Sequence, residues 1–180
     1  MKKKQIEKIC AFYASDWHLV TMILPYINKK IDEKTKVITI LENDIKENIK
    51  TLVNKLNIKN KQNILNINWI SSDFATEEKL NLQTTNDTQN IILINGSKKY
   101  IDTNNYIVEN WFKKSSLSQI KIINFFEATE FNNNILEILN AHNKILNTSG
   151  ETAIEEVFTD FERNDNFEIK KVAGNNIWLN

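Results

Sequence analysis

Short β-rich apolar runs alternate with segments of helical spacing along most of this chain. Ile9 to Tyr13 predicts a strand, and Trp17 to Ile31 then sets Val20, Ile23, Leu24, Ile27 and Ile31 on one helical face. Pro25 falls inside that segment and predicts a kink or a restart, because it removes an amide donor and crowds the preceding turn. Val37 to Leu41 reads as a buried strand. Asp44, with Glu47 one turn on, predicts a capped helix whose apolar stripe is Ile45, Ile49, Leu52, Val53 and Leu56. Ile64 to Trp69 predicts a third strand. Ser71 to Asn90 is polar and reads as a long loop with one helical turn near Thr76 to Leu80, and such loops are often functional.

The second half repeats the alternation. Ile91 to Ile94 is wholly apolar, as a parallel strand covered on both faces requires. Lys98 to Phe112 returns to helical spacing, Ile120 to Phe126 predicts a fifth strand, and Thr129 to Ala141 a helix with Phe131, Ile135, Ile138 and Leu139 inward. Lys144 to Leu146 reads as a short strand. Thr148-Ser-Gly-Glu151 has the form of a capping box for a last helix, with Ile154, Val157, Phe158 and Phe161 inward. Phe167 to Val172 and Asn176 to Leu179, around Ala173-Gly174-Asn175, predict a terminal β-hairpin. Strands alternating with helices imply βαβ crossovers and an α/β fold: a three-layer, doubly wound, mostly parallel sheet.

Composition narrows the function classes. At 180 residues with 3 Gly and 1 Pro, the chain is expected to form one domain over 1–180 without long flexible linkers. Lys+Arg and Asp+Glu are both 23, so there is no basic excess of the kind nucleic-acid readers show, and direct DNA or RNA binding is not expected. A single cysteine, Cys10, excludes an internal disulfide and a Cys-based zinc site; with only His18 and His142 besides, no metal and no cofactor are expected. No apolar stretch approaches the ~20 residues that span a bilayer, and the lysine-rich start lacks the apolar core of a signal peptide, so the expected location is cytoplasmic, without membrane attachment.

In open α/β sheets ligands bind beyond the carboxyl ends of the strands, so the residues just after each predicted strand are the candidates. These are Ser15, Asp16 and His18 after the first strand, Glu42 and Asn43 after the second, Asn95, Ser97 and Lys98 after the fourth, and Glu127 and Thr129 after the fifth. Trp69, beside the polar loop, is expected over a pocket. Ser15, Asp16 and His18 are too nearly contiguous for a hydrolytic triad, which is assembled from separated segments; Ser15 or Asp16 as a helix cap is the plainer reading. Asn95-Gly96-Ser97-Lys98 is a single-glycine turn, read either as a serine-capped helix start or as an anion contact. No G-x-x-x-x-G-K-[ST] and no G-x-G-x-x-G occurs. Glu42 and Glu127 form an acid–base pair only if they converge, and otherwise are solvated or capping. His142 reads as a helix C-cap.

Cys10-Ala-Phe-Tyr13, Leu19, Pro25-Tyr-Ile27 and Lys36-Val-Ile-Thr-Ile40 resemble the opening of the MEDS sensory domain. Ile122-Ile-Asn-Phe-Phe-Glu127, Phe131, the Ile135 to Leu139 stretch, Ala141-His142 and Ile145 are similar to its closing pattern. The likeness covers residues 7 to 147, leaving 148–180 as a C-terminal helix and hairpin. It departs at Lys34-Thr35, where the family usually has a glycine, and at Asn143, where it has a proline. The resemblance implies a degenerate relative of the RecA and circadian-clock ATPase fold that has lost its phosphate loop. It also implies ligand sensing upstream of a kinase or a transcription regulator.

The expected function is therefore a non-catalytic small-molecule sensing or regulatory binding domain. It would act through a regulatory protein partner or through a second copy of itself. Two alternatives stay open: an enzyme using the strand-end carboxylates and Lys98, and a pure protein-interaction module.

Overall fold

The computed structural model describes residues 4–31 and 34–163. The first apolar run becomes β1 (Gln5–Tyr13), followed by α1 (Asp16–Lys30) and β2 (Thr35–Leu41). Three helices follow: α2 (Lys46–Lys55), α3 (Lys61–Leu65) and α4 (Glu77–Gln83). Then come β3 (Gln89–Gly96), α5 (Lys98–Lys114), β4 (Gln119–Glu127) and α6 (Ala128–Asn140). The hairpin β5 (Lys144–Asn147) and β6 (Gly150–Ala153) and the single turn α7 (Ile154–Val157) complete the described elements.

One six-stranded sheet runs β2-β3-β4-β1-β5-β6, parallel throughout except for the antiparallel β5–β6 pair. The α/β, mostly parallel architecture expected from the alternation is thus observed. Residues on alternate sides of β1 feed two cores. Ile9, Ala11 and Tyr13 pack with α1, α2, Ile64 of α3 and Trp69, whereas Cys10 and the half-buried Phe12 pack with α4, α5 and α6. Both faces of the sheet are covered, which explains why β3 and β4 carry nearly continuous apolar runs. Among the described residues no helix is long and apolar enough to cross a membrane.

Several local expectations are corrected. Ile64 to Trp69 is not a strand: Ile64 lies in α3, and β3 pairs directly with β2 and β4, leaving no place between them. Four closely spaced apolar residues fit a buried helical turn and its exit as well as a strand, and the neighbours decide. Thr148-Ser-Gly-Glu151 does not cap a helix. It turns the β5–β6 hairpin, where Asn147 faces Gly150, the Ser149 amide donates to Asn147 Oδ1 at 2.8 Å, and Gly150 holds φ 121°. The last helix shrinks accordingly to α7. α1 continues through Pro25, which lies on the exposed face of the helix. α2 starts at Lys46, with Asp44 Oδ1 accepting from the Lys46 amide, and Leu56 at the end of its stripe is exposed. The expected hairpin over 167–179 lies outside the described residues.

A charged cluster borders the first core. Lys121 of β4, only 7% exposed, contacts Glu7 of β1 at 3.0 Å and Glu151 of β6 at 2.8 Å. Lys144 bridges the same two carboxylates, and the Tyr26 hydroxyl of α1 donates to Glu151 at 2.7 Å. Burial alone would raise the Glu151 carboxyl. Hydrogen bonds from Lys121, Tyr26 and Lys144 outweigh it and hold the group at about 2. Glu7 is also lowered, its burial outweighed by Lys144 and Lys121. Burial, and then the Glu151 charge, push the Tyr26 phenol up.

Because Glu151 titrates lower in the folded chain than its ordinary 4.5, its contribution to stability is complete above pH 4.5 and disappears as pH falls towards 2. Urea midpoints should therefore decline through that window. Glu151→Gln should flatten the decline and cost about 2 kcal/mol at neutral pH, the value of a charge-assisted hydrogen-bond set. An unchanged acid slope in the variant would show that the stabilisation resides elsewhere.

Candidate functional site

At the carboxyl edge the structure gathers the ends of β1, β2, β3 and β4. Tyr13 ends β1 with its phenol buried under the edge, accepting a hydrogen bond from Asn95 Nδ2 at 2.9 Å. Asn95 is fully buried. Its Nδ2 also reaches the Phe125 carbonyl at 3.4 Å, and its Oδ1 has no hydrogen-bond partner. Burial pushes the Tyr13 hydroxyl up to about 12, and the negative charges of Glu127, Asp16 and Glu42 reinforce the shift. Those three carboxylates therefore bear on one phenol, although they come from three separate strand ends.

The turn after β3 is closed by the chain itself. Ser97 caps α5, its Oγ accepting from the Tyr100 amide. Glu42 reaches across from the end of β2 and accepts from both the amide and the hydroxyl of Ser97. A helix amino-terminus attracts negative charge through its unpaired amides and its dipole, and here an internal carboxylate supplies that charge. Glycine is required beside it: Gly96 holds φ 156°, and a Cβ there would lie 2.5 Å from Glu42 Oε2 and 2.7 Å from Glu42 Cβ.

Lys98, the main cation of the predicted rim, faces sideways. Its Nζ contacts Asp102 at 2.6 Å and Glu137 of α6 at 2.7 Å, while its amide donates to Glu130 Oε1 at 3.4 Å. Burial would lower the ammonium, but Asp102 and Glu137 outweigh it and the group is raised. A lysine held charged between two carboxylates is a brace between helices, poorly suited to act as a base or a nucleophile.

The remaining predicted positions divide. Ser15 caps α1, accepting from the His18 amide at 3.2 Å, and the His18 ring accepts from the Ala14 amide through Nδ1 at 3.1 Å. That acceptor role leaves the ring proton on Nε2. Asp16 starts α1, in the first turn where its charge complements the dipole. Asn43 and Thr129 are exposed, beyond β2 and near the start of α6. Trp69 is a correction: it is 1% exposed, lies in the first core, and donates from Nε1 to the Ile64 carbonyl at 2.8 Å. Its indole fills the space between α2, α3 and the sheet, so it covers no pocket. His142 is likewise no simple cap. It is buried, with Nε2 beside Asn124 Nδ2 at 2.8 Å and Nδ1 beside the Ile138 carbonyl at 2.6 Å.

Sequence reasoning missed Tyr13 as a polar group under the rim; Glu130 stands among the residues after the fifth predicted strand, but its contact with the Lys98 amide at the start of α5 does not follow from the sequence. A tyrosine as the last residue of an apolar strand was the available signal for Tyr13. Two polar clefts lie away from this edge. One, of about 240 Å³, is lined by Asn81, Thr84, Asn86, Trp111 and Ser116; the other, of about 80 Å³, lies at the amino ends of β1 and β4 beside Gln5, Gln119 and Lys121. Among the described residues no cluster of His, Cys, Asp and Glu could hold a metal ion.

Gly96→Ala should destabilise the chain by about 2–3 kcal/mol, because the new methyl group meets the Glu42 backbone-proximal carbon as well as its carboxylate. Thermal denaturation checks this, and a variant as stable as the parent would show that Glu42 does not seat against the turn. Compared with known proteins, the chain matches no family model, no curated protein and no solved structure.

Proposed function

We propose that this chain is a non-catalytic ligand-sensing or regulatory binding domain, a degenerate RecA-like fold of the MEDS type whose carboxyl edge takes a small molecule without transforming it. The observation that carries this reading is the internal occupation of the α5 amino-terminus. Glu42 takes up the Ser97 amide and hydroxyl, Glu130 the Lys98 amide, and the Lys98 ammonium is shared by Asp102 and Glu137. The amides and cation that would serve a phosphate are thus already committed within the chain. The first strand-to-helix turn, at Ala14 and Ser15, has no glycine, and its serine is spent on capping.

The rim favours a particular chemistry. Asp16, Glu42 and Glu127 make the edge around Tyr13 electronegative. A ligand presenting a positive or donor-rich group is therefore preferred over an anion. Binding changes the output only if the ligand's affinity differs between two states of the domain, read by a regulatory protein or a second copy of the chain.

A second reading, a module that docks a protein, is favoured by exposed aromatic groups. Trp17 at the start of α1 is 50% exposed, and Phe74, stacked on Tyr100 with ring centroids 5.4 Å apart, is 49% exposed. Large exposed aromatic side chains are typical anchors of protein interfaces.

Thermal shift and calorimetry on the whole chain, over a panel of amines, amino acids, other metabolites and nucleotides, provide the test. The expected result is a specific binder from the cationic or donor-rich compounds, unchanged after incubation, with no phosphate released from Mg–ATP. Glu127→Ala should weaken that binder by at least about tenfold, the value of one charge-assisted contact. Turnover that vanishes in Glu127→Ala or Lys98→Ala with the fold retained would establish the enzyme alternative instead. No binder at all, together with concentration-dependent mass, would favour the docking module.

A further inference from the structure

We propose that the first half of α6 is a hinged arm, pivoting at Asn134 and latched by Glu130, that couples the carboxyl edge to α7 through Phe131. Asn134 has φ −135° and ψ 15° inside α6, so the helix consists of two pieces, 128–133 and 135–140, joined at a non-helical residue. A break of this kind in the absence of proline or glycine calls for an identifiable cause. Two side-chain contacts converge at this break. Glu130 Oε2 accepts from Asn134 Nδ2 at 2.7 Å, and Glu130 Oε1 accepts from the Lys98 amide at 3.4 Å. One carboxylate therefore holds both the hinge residue and the start of α5.

The two pieces are anchored differently. The second piece is fixed by the buried Ile138 and Leu139 and by the ion pair from Glu137 to Lys98. The first has no fully buried residue; among the described residues its large apolar contact is made by Phe131, set edge-on to Phe12 at 5.1 Å and tilted against Phe158 at 6.1 Å. Elements with few buried contacts open at lower free energy than the core around them. The arm is capped by Glu127 and carries Thr129 at the edge, and its only aromatic group packs against Phe158, the C-cap of α7. A displacement at the edge thereby reaches the hairpin side of the molecule as a movement of one ring. The hinge rests on the geometry of α6 alone, whereas the use of that movement to report a ligand rests on the carboxyl-edge reading above.

Hydrogen–deuterium exchange on the whole chain without ligand separates the two. Amides 132–134 should exchange at least about tenfold faster than amides 138–140 in the parent chain. Glu130→Ala, which removes the latch, should accelerate exchange at 132–134 and at 155–158 while leaving 138–140 unchanged. Asn134→Ala, which replaces the hinge by a strong helix former, should slow 132–134 towards the rate of the second piece. Equal protection of both pieces in the parent, or acceleration by Glu130→Ala that spreads evenly through α6, would overturn the hinge. Acceleration confined to 132–134, with 155–158 unmoved, would overturn the coupling. Neither outcome depends on whether the edge binds a small molecule.

Discussion

The pairing of β1 with β4 is the constraint on which the rest of the structure depends. The two strands run parallel in unbroken register from Gln5 opposite Gln119 to Tyr13 opposite Glu127. Because side chains alternate across a strand, this register fixes at once which residues of β1 enter each core. Ile9, Ala11 and Tyr13 go to the α1 side, and Cys10 and Phe12 to the α6 side. It also aligns Glu7 with Lys121 and Tyr13 with Glu127, so the same pairing builds the partly buried ion cluster at one end and the acidic rim at the other. A slip of one residue would bury the wrong side chains on both faces and would separate each of these pairs.

β1, β3, β4, α1 and α5 match their apolar patterns: the helices show a clear helical stripe, and the strands are apolar runs that the sheet covers on both faces. Ile64 to Trp69 was misread because a short apolar run has no period of its own; the sheet already had its neighbours, and the segment packed as α3 and a buried indole. Thr148 to Glu151 was misread for a related reason. Ser and Thr before an acidic residue fit a helix cap or a hairpin turn equally well, and only the pairing of β6 with β5 distinguishes them. At the site, placement of Glu42, Asn95, Ser97 and Glu127 along the carboxyl edge follows from strand position. Their mutual arrangement does not, since Glu42 and Ser97 are far apart in sequence and their contact depends on β2 lying beside β3.

Charge inside the fold shows the same limit. Lys121 interrupts an apolar run in β4 and looks out of place when that strand is read alone. The tertiary structure supplies Glu7, Glu151 and the Tyr26 hydroxyl around it, from three other elements. A buried ammonium is tolerated only when its desolvation is offset by close partners. The consequence is that the β5–β6 hairpin, which places Leu146 in the first core and Ile145 in the second, is tied to the sheet by ion pairs as well, and that part of its attachment responds to acid.

The chain between α3 and α4 passes from one face of the sheet to the other. Trp69 belongs to the first core and Ala75 and Leu80 to the second. On the way it follows the outer strand, with the Ser72 amide donating to the Leu41 carbonyl and the Thr39 hydroxyl to the Asn68 carbonyl. An outermost strand of this kind otherwise offers a free row of amides and carbonyls to any extended peptide, including a strand from a neighbouring molecule. By spending part of that row on its own connection, the protein blunts a nucleation point for intermolecular β-stacking. Shortening this connection between its core anchors Trp69 and Ala75 would thus expose a solubility liability along β2.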